Sequence, residues 1–173
     1  MHQQPVAAIF ESNNQDTHMK EDIFDVLIYL FENYLADEME MLADADDVVQ
    51  ELRDAGFQQK EISKAFDWLE SLSEDSRITA TASAAFRIFN DQEMKALDIE
   101  CRDFLLFLEH NQILTPDSRE IVIDKAMTLK DEDITLDKLK WLVLMILLSQ
   151  SSDDSAFSRM EDIVYDQIPS TLH

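Results

Sequence analysis

At 173 residues the chain fits one domain or two small helical lobes, and its 46% hydrophobic content suffices to bury a core. A single glycine, where average usage of about 7% would supply roughly a dozen, excludes folds built on glycine turns: doubly wound sheets, phosphate loops and multi-hairpin β structures. Thirty-seven Asp or Glu against 14 Lys or Arg give a net charge of −23, which repels phosphate backbones and anionic membranes.

Residues 1–18, "MHQQPVAAIFESNNQDTH", have no basic n-region and only a short apolar run, so they read as a flexible leader and not as a signal peptide. Helical spacing begins after Lys20. In "FDVLIYLFENYL", Phe24, Leu27, Ile28, Phe31 and Leu35 follow the period of one helix face, and Val26, Leu30 and Tyr34 fill much of the other side. A helix this apolar needs neighbours on several sides. A second helix is predicted from an Asp44 cap to Ala55, with Asp46 and Asp47 favourably placed in its first turn. Gly56 should close it in a Schellman turn that lays Phe57 against Leu52. A third helix follows through Ile62, Ala65, Phe66 and Leu69, which makes residues 44–72 a helix-turn-helix in outline.

"SEDSRITATASAA", 73–85, is small, polar and aperiodic and reads as a linker, and "FRIF", 86–89, as one short extended segment. Asn90 and Glu93 form an Asn capping box that opens one helix carrying Met94, Leu97, Phe104 and Leu108. Thr115 and Pro116 supply the cap and first residue of the next helix. Thr135 caps a helix containing "WLVLMILL", 141–148, and a last helix runs around Phe157–Tyr165. That eight-residue run is far below the ~20 needed to span a bilayer. Packing 24–35 against 141–148 at the centre would bury both apolar segments; the alternative is that one of them forms an interface.

Five blocks, "IFDVLIYLFENYL", "LRDAGFQQKEISKAFDWLESL", "RDFLLFLE", "SREIVIDKAMTL" and "LDKLKWLVLMILL", resemble in order and spacing the Smg family of bacterial proteins, a domain of unknown function. The resemblance covers about residues 22–173, with Asp103 where the family pattern has glycine and Phe89 where it has tyrosine. It implies no activity and no cofactor. It associates the chain only with DNA-processing and protein-maturation genes.

Chemistry-bearing motifs are sparse. Of the four histidines, His110 alone lies inside the body, at a helix end, and no HExxH pattern or Ser/His/Asp set is visible. Cys101 rules out an intrachain disulfide and thiolate clusters; Arg102 beside it could lower its pKa, but Ile99 and Phe104 point to a buried, inert thiol. A calcium loop starting at Asp44 would need glycine at Val49 and glutamate at Ala55.

Between Lys20 and Arg53 stand eleven Asp or Glu and no Lys, Arg or His. A solvated face explains such a run, and so does a docking surface for a basic partner. The helix after Gly56 presents Gln58, Gln59, Lys60 and Lys64, residue types that could contact nucleic acid, although Glu61, Asp67 and Glu70 follow them.

The expected fold is all-α, a compact bundle of about six to seven helices. Its expected parts are a leader at 1–18, an N-terminal lobe at 19–73, a linker at 74–90, and a C-terminal lobe at 91–173 sharing a core with the first. The expected function is that of a non-enzymatic cytoplasmic interaction protein without cofactor or metal, docking an unidentified basic protein through Asp37, Glu38, Glu40, Asp44, Asp46 and Asp47. The alternative is a nucleic-acid-linked regulator using Gln58, Gln59, Lys60 and Lys64. Net charge disfavours direct nucleic-acid binding, and no membrane partner is expected.

Overall fold

The structure, a computed structural model, describes residues 22–35, 45–75, 87–150 and 154–166. Among the described residues there are eight α-helices and no strand. They are α1 (Ile23–Leu30), α2 (Ala45–Asp54), α3 (Gln59–Asp75), α4 (Asp91–Ala96), α5 (Ile99–His110), α6 (Pro116–Thr128), α7 (Leu136–Gln150) and α8 (Asp154–Tyr165). The all-α expectation holds. The expected leader lies outside the described residues, as does Phe86, and Arg87–Phe89 form no strand.

Helix ends follow local chemistry. Asp22 caps α1, accepting from the Phe24 and Asp25 amides, and the Asp22 amide donates to the Asp25 carboxylate at 3.1 Å. Asn90 and Glu93 make the expected capping box. Thr115 accepts from the Ser118 amide, with Pro116 opening α6, and Thr135 accepts from the Lys138 amide at the start of α7. Gly56, at φ 103°, closes α2 as the pattern requires: Phe57 donates to the Leu52 carbonyl and Gly56 to that of Arg53, both at 3.0 Å.

Two elements depart from the sequence reading. The helix expected after Asn90 is two helices, because Leu97 turns extended and the Asp98 carboxylate caps the Cys101 amide at 2.9 Å to start α5 anew. The apolar opening helix does not run straight to Leu35: after Leu30 the chain widens into a π-helical turn over Phe31–Leu35. The Asn33 amide donates to the Tyr29 carbonyl there, at 2.8 Å.

One apolar core takes side chains from α1, α2, α3, α5, α6, α7 and α8. Helix α7 answers the requirement of its composition, since every residue from Leu142 to Leu147 is buried. It achieves this by packing α8 and α6 on two sides, with α5 and α3 touching it elsewhere. Helix α1 lies mainly on α3. The two apolar segments therefore meet side chain to side chain without being each other's chief neighbour. Phe31 and Trp141 contact edge to face at 5.6 Å, and the Lys138 ammonium sits 4.9 Å over the Phe24 ring.

The buried cations within this frame are paired. The buried Arg119 bridges Glu109 and Glu120, and Arg87 bridges Glu120 and Glu93, which ties α4, α5 and α6 to the segment before α4. The buried Lys125 amine donates to Ser71 on α3, and the Trp68 indole donates to the Lys125 carbonyl.

Candidate functional site

Helix α2 turns Val48 and Leu52 into the core, so its period places Asp46, Asp47, Gln50, Glu51 and Asp54 outward, all exposed. Its single cation is drawn aside: Arg53 donates through Nε to the Gln59 side-chain carbonyl at 2.6 Å, and its terminal nitrogen reaches the same oxygen. The remaining face carries carboxylates and Gln50, which bonds Asp54 at 3.1 Å. Of the residues expected to form the acidic surface, Asp46 and Asp47 stand on this face, while Asp37, Glu38, Glu40 and Asp44 lie outside the described residues.

Glu51 has a role that sequence reading missed. Its two oxygens accept from the hydroxyls of Tyr29, at 3.0 Å, and Tyr34. Five residues of α-helix would set these tyrosines about 140° apart around the axis. The π turn, closing one residue later, swings Tyr34 back over Tyr29 so that both reach one carboxylate. Burial, then the bond to Glu51 and its charge, push the Tyr34 phenol up to about 12 and the Tyr29 phenol up as well. The clamp fastens α2 to the opening segment and removes Glu51 from the free acidic groups.

At the start of α3, Gln58, Gln59, Lys60 and Lys64 are all exposed. They are not equally available. The Gln59 amide is occupied by Arg53 and by Ser63, and Lys64 lies 3.5 Å from Glu132 on the loop after α6. Gln58 and Lys60 remain on the surface, beside a pair of helices in which nine Asp or Glu stand against three Lys or Arg over residues 45–75.

The two residues considered for chemistry lie apart in character. Cys101 is fully buried in α5, its Sγ 3.9 Å from the Ile134 carbonyl; burial, with the neighbouring Asp98 carboxylate, pushes the thiol up to about 12. Arg102 does not lower it, because its guanidinium turns towards the Asp98 carbonyl and the Phe89 ring. His110 is exposed at the end of α5. Among the described residues no group of three or more His, Cys, Asp or Glu could hold a metal, and no helix is long and apolar enough to cross a membrane.

Comparison with known proteins places the chain in a family. Residues 23–173 match the family described as "Protein of unknown function (DUF494)". The chain is 54% identical over 155 residues to the Smg homolog of Methylococcus capsulatus, which spans 90% of this chain and 100% of that protein. It is 46% identical to the Smg homolog of Alkalilimnicola ehrlichii, over 90% of this chain and 100% of that one. For the Smg homolog of Shewanella sediminis the identity is 45%, over 87% and 99%. No solved structure matches the chain. With its matching family model and full-length relatives at this identity, the chain belongs to the Smg family.

Proposed function

We propose that the chain is a non-enzymatic interaction protein of the cytoplasm whose α2 surface docks a basic protein partner. The observation that carries this reading is the outward face of α2, where Asp46, Asp47 and Asp54 are exposed while Arg53 is held by Gln59. Carboxylates that outnumber the one arginine of their helix attract a basic surface over about a Debye length, ~8 Å at physiological salt. A steered interface of this kind weakens with ionic strength.

Affinity capture with the whole chain, repeated across a salt series and with the variant D46K/D47K/D54K, tests the reading. A specific partner should be held at low salt, released at about 1 M, where the Debye length falls to about 3 Å, and lost by the charge-reversed chain. A partner that the variant captures as well as the parent chain would remove α2 from the interface.

The nucleic-acid reading rests on Gln58 and Lys60, exposed at the start of α3. Anisotropy with short duplex and single-stranded probes at low salt, where phosphate attraction is strongest, decides it. Binding that Lys60→Gln and Lys64→Gln weaken would favour it over the acidic docking surface; no binding at low salt would eliminate it.

A further inference from the structure

Helix α1 and the π turn are one helix with a change of register. Phe31, which follows Leu30, keeps helical dihedrals at φ −60° and ψ −50°, so the chain enters the wide turn without a break. Such turns are rare, and the contact that only the wide register makes is the bond from the Tyr34 hydroxyl to Glu51 of α2. Tyr29 reaches the other Glu51 oxygen at 3.0 Å from within α1, and its ring meets Phe57, just past α2, edge to face at 5.6 Å. A change of register after Leu30 leaves those Tyr29 contacts in place. It removes the Tyr34 bond, because an α register sets Tyr34 about 140° round the axis from Tyr29. One term opposes the wide turn: Glu32 Oε1, inside it, is buried with no donor among the described residues, and an unpaired buried oxygen is destabilising. The Tyr29 carbonyl has a partner in either register. The Asn33 side chain donates to it at 2.8 Å, and the Asn33 backbone amide is its partner in an α-helix.

We infer that Phe31–Leu35 is a register switch, held in a π state by the bond from Tyr34 to Glu51 and winding to an α state when that bond is released. A two-state element needs contacts that differ between its states, and both kinds are present. The hydroxyl bond to a carboxylate favours the π state, and the unpaired Glu32 oxygen disfavours it. Phe31 starts the turn and stays on Trp141 in both states, so the join between the two apolar segments is kept. What changes is the hold on α2. Two tyrosines fasten Glu51 in the π state, whereas Tyr29 alone, with its ring on Phe57, fastens α2 in the α state. Whatever draws Glu51 from Tyr34 therefore shifts the register, and whatever fixes the register alters the hold on α2. The switch goes beyond the docking reading and does not depend on what α2 binds.

The test reads through-hydrogen-bond couplings along the backbone of the isotopically labelled full chain. In the π state the Leu35 amide pairs five residues back with the Leu30 carbonyl, and in the α state four back with the Phe31 carbonyl. The parent chain should show the Leu30 coupling. Tyr34→Phe keeps the ring and removes only the hydroxyl. It and Glu51→Ala should each replace the Leu30 coupling by the Phe31 coupling, a shift of at least about tenfold in the α to π ratio for a lost bond to a charged group. The double variant should go no further than either single one, since both remove the same bond. Tyr29→Phe should leave the Leu30 coupling in place. A Leu30 coupling that persists in Tyr34→Phe would overturn the switch, because packing of the ring would then hold the turn. Loss of both couplings would overturn the α state, and a Trp141 indole resonance displaced in Tyr34→Phe would contradict a core contact common to both states.

Discussion

The Lys138 ammonium lies 2.5 Å from the Asp22 carboxylate, across 116 positions of chain, and the same carboxylate caps α1. One side chain thus starts the opening helix and fastens it to the start of α7. The two roles separate by mutation. Asp22→Ala should cost about 0.5–2 kcal/mol, mostly from the lost cap. Asp22→Asn keeps the cap and loses the charge, so it should cost less than about 1 kcal/mol. Urea melts of both variants check this; an Asn variant as damaged as the Ala one would make the ion pair dominant.

The contact between Phe31 and Trp141 is the direct aromatic bridge between the two apolar segments. A double-mutant cycle with Phe31→Leu and Trp141→Leu should return a coupling of about 0.5–1.5 kcal/mol. Leu27→Ala and Leu144→Ala, both at fully buried positions, should each cost about 2–5 kcal/mol. Near-native melting of those alanine variants would contradict the burial of both helices.

Glu32 gives a pH signature. Its carboxyl is raised by burial above the ordinary value of 4.5, so the folded state holds that proton more tightly than the unfolded chain does. The stabilising contribution is complete below the unfolded value and is lost as pH rises through the folded one. Glu32→Gln should therefore raise stability at pH 7.5, and its advantage should shrink as pH falls towards the glutamate range. Denaturant midpoints of parent and variant at several pH values measure this. A pH-independent difference, or a less stable variant at pH 7.5, would contradict it.

Cys101 should react slowly. Its thiol is buried and pushed up to about 12, so almost no thiolate is present at pH 8. Labelling with an aromatic disulfide should be slower in the folded chain than in denaturant by at least a hundredfold, and limited by opening of the structure. Labelling at the denatured rate would place the thiol at the surface.

Much of the fold was legible in the chain because caps and glycines announce helix ends. Gly56 marked its Schellman turn and Thr115–Pro116 marked the start of α6. Helix α5 ends in the same kind of turn with no such sign: Gln112 takes φ 59°, and Ile113 donates to the Leu108 carbonyl at 2.9 Å. Buried Leu108 and Ile113 hold that ending by packing, which local sequence does not advertise. Asp98 was hidden for another reason, since one carboxylate among many in an acidic chain gives little warning that it caps a helix. The π turn depends on a partner, Glu51, from a different helix. The acidic face of α2 could be read from spacing, but the bond from Arg53 to Gln59 and the hold of Glu51 on Tyr29 and Tyr34 depend on how the helices pack.

Docking of a basic partner on α2 is tested most directly by site-specific photocross-linking. A photoreactive residue placed at Asp47, exposed on α2, is compared with one at Asp103, exposed on α5, using the same full chain and the same captured partner. The expected result is a cross-link from position 47 that disappears when Asp46 and Asp54 are reversed to lysine, and none from position 103. A cross-link from 103 in place of 47, or one from 47 that survives the charge reversal at full yield, would contradict an acidic interface on α2.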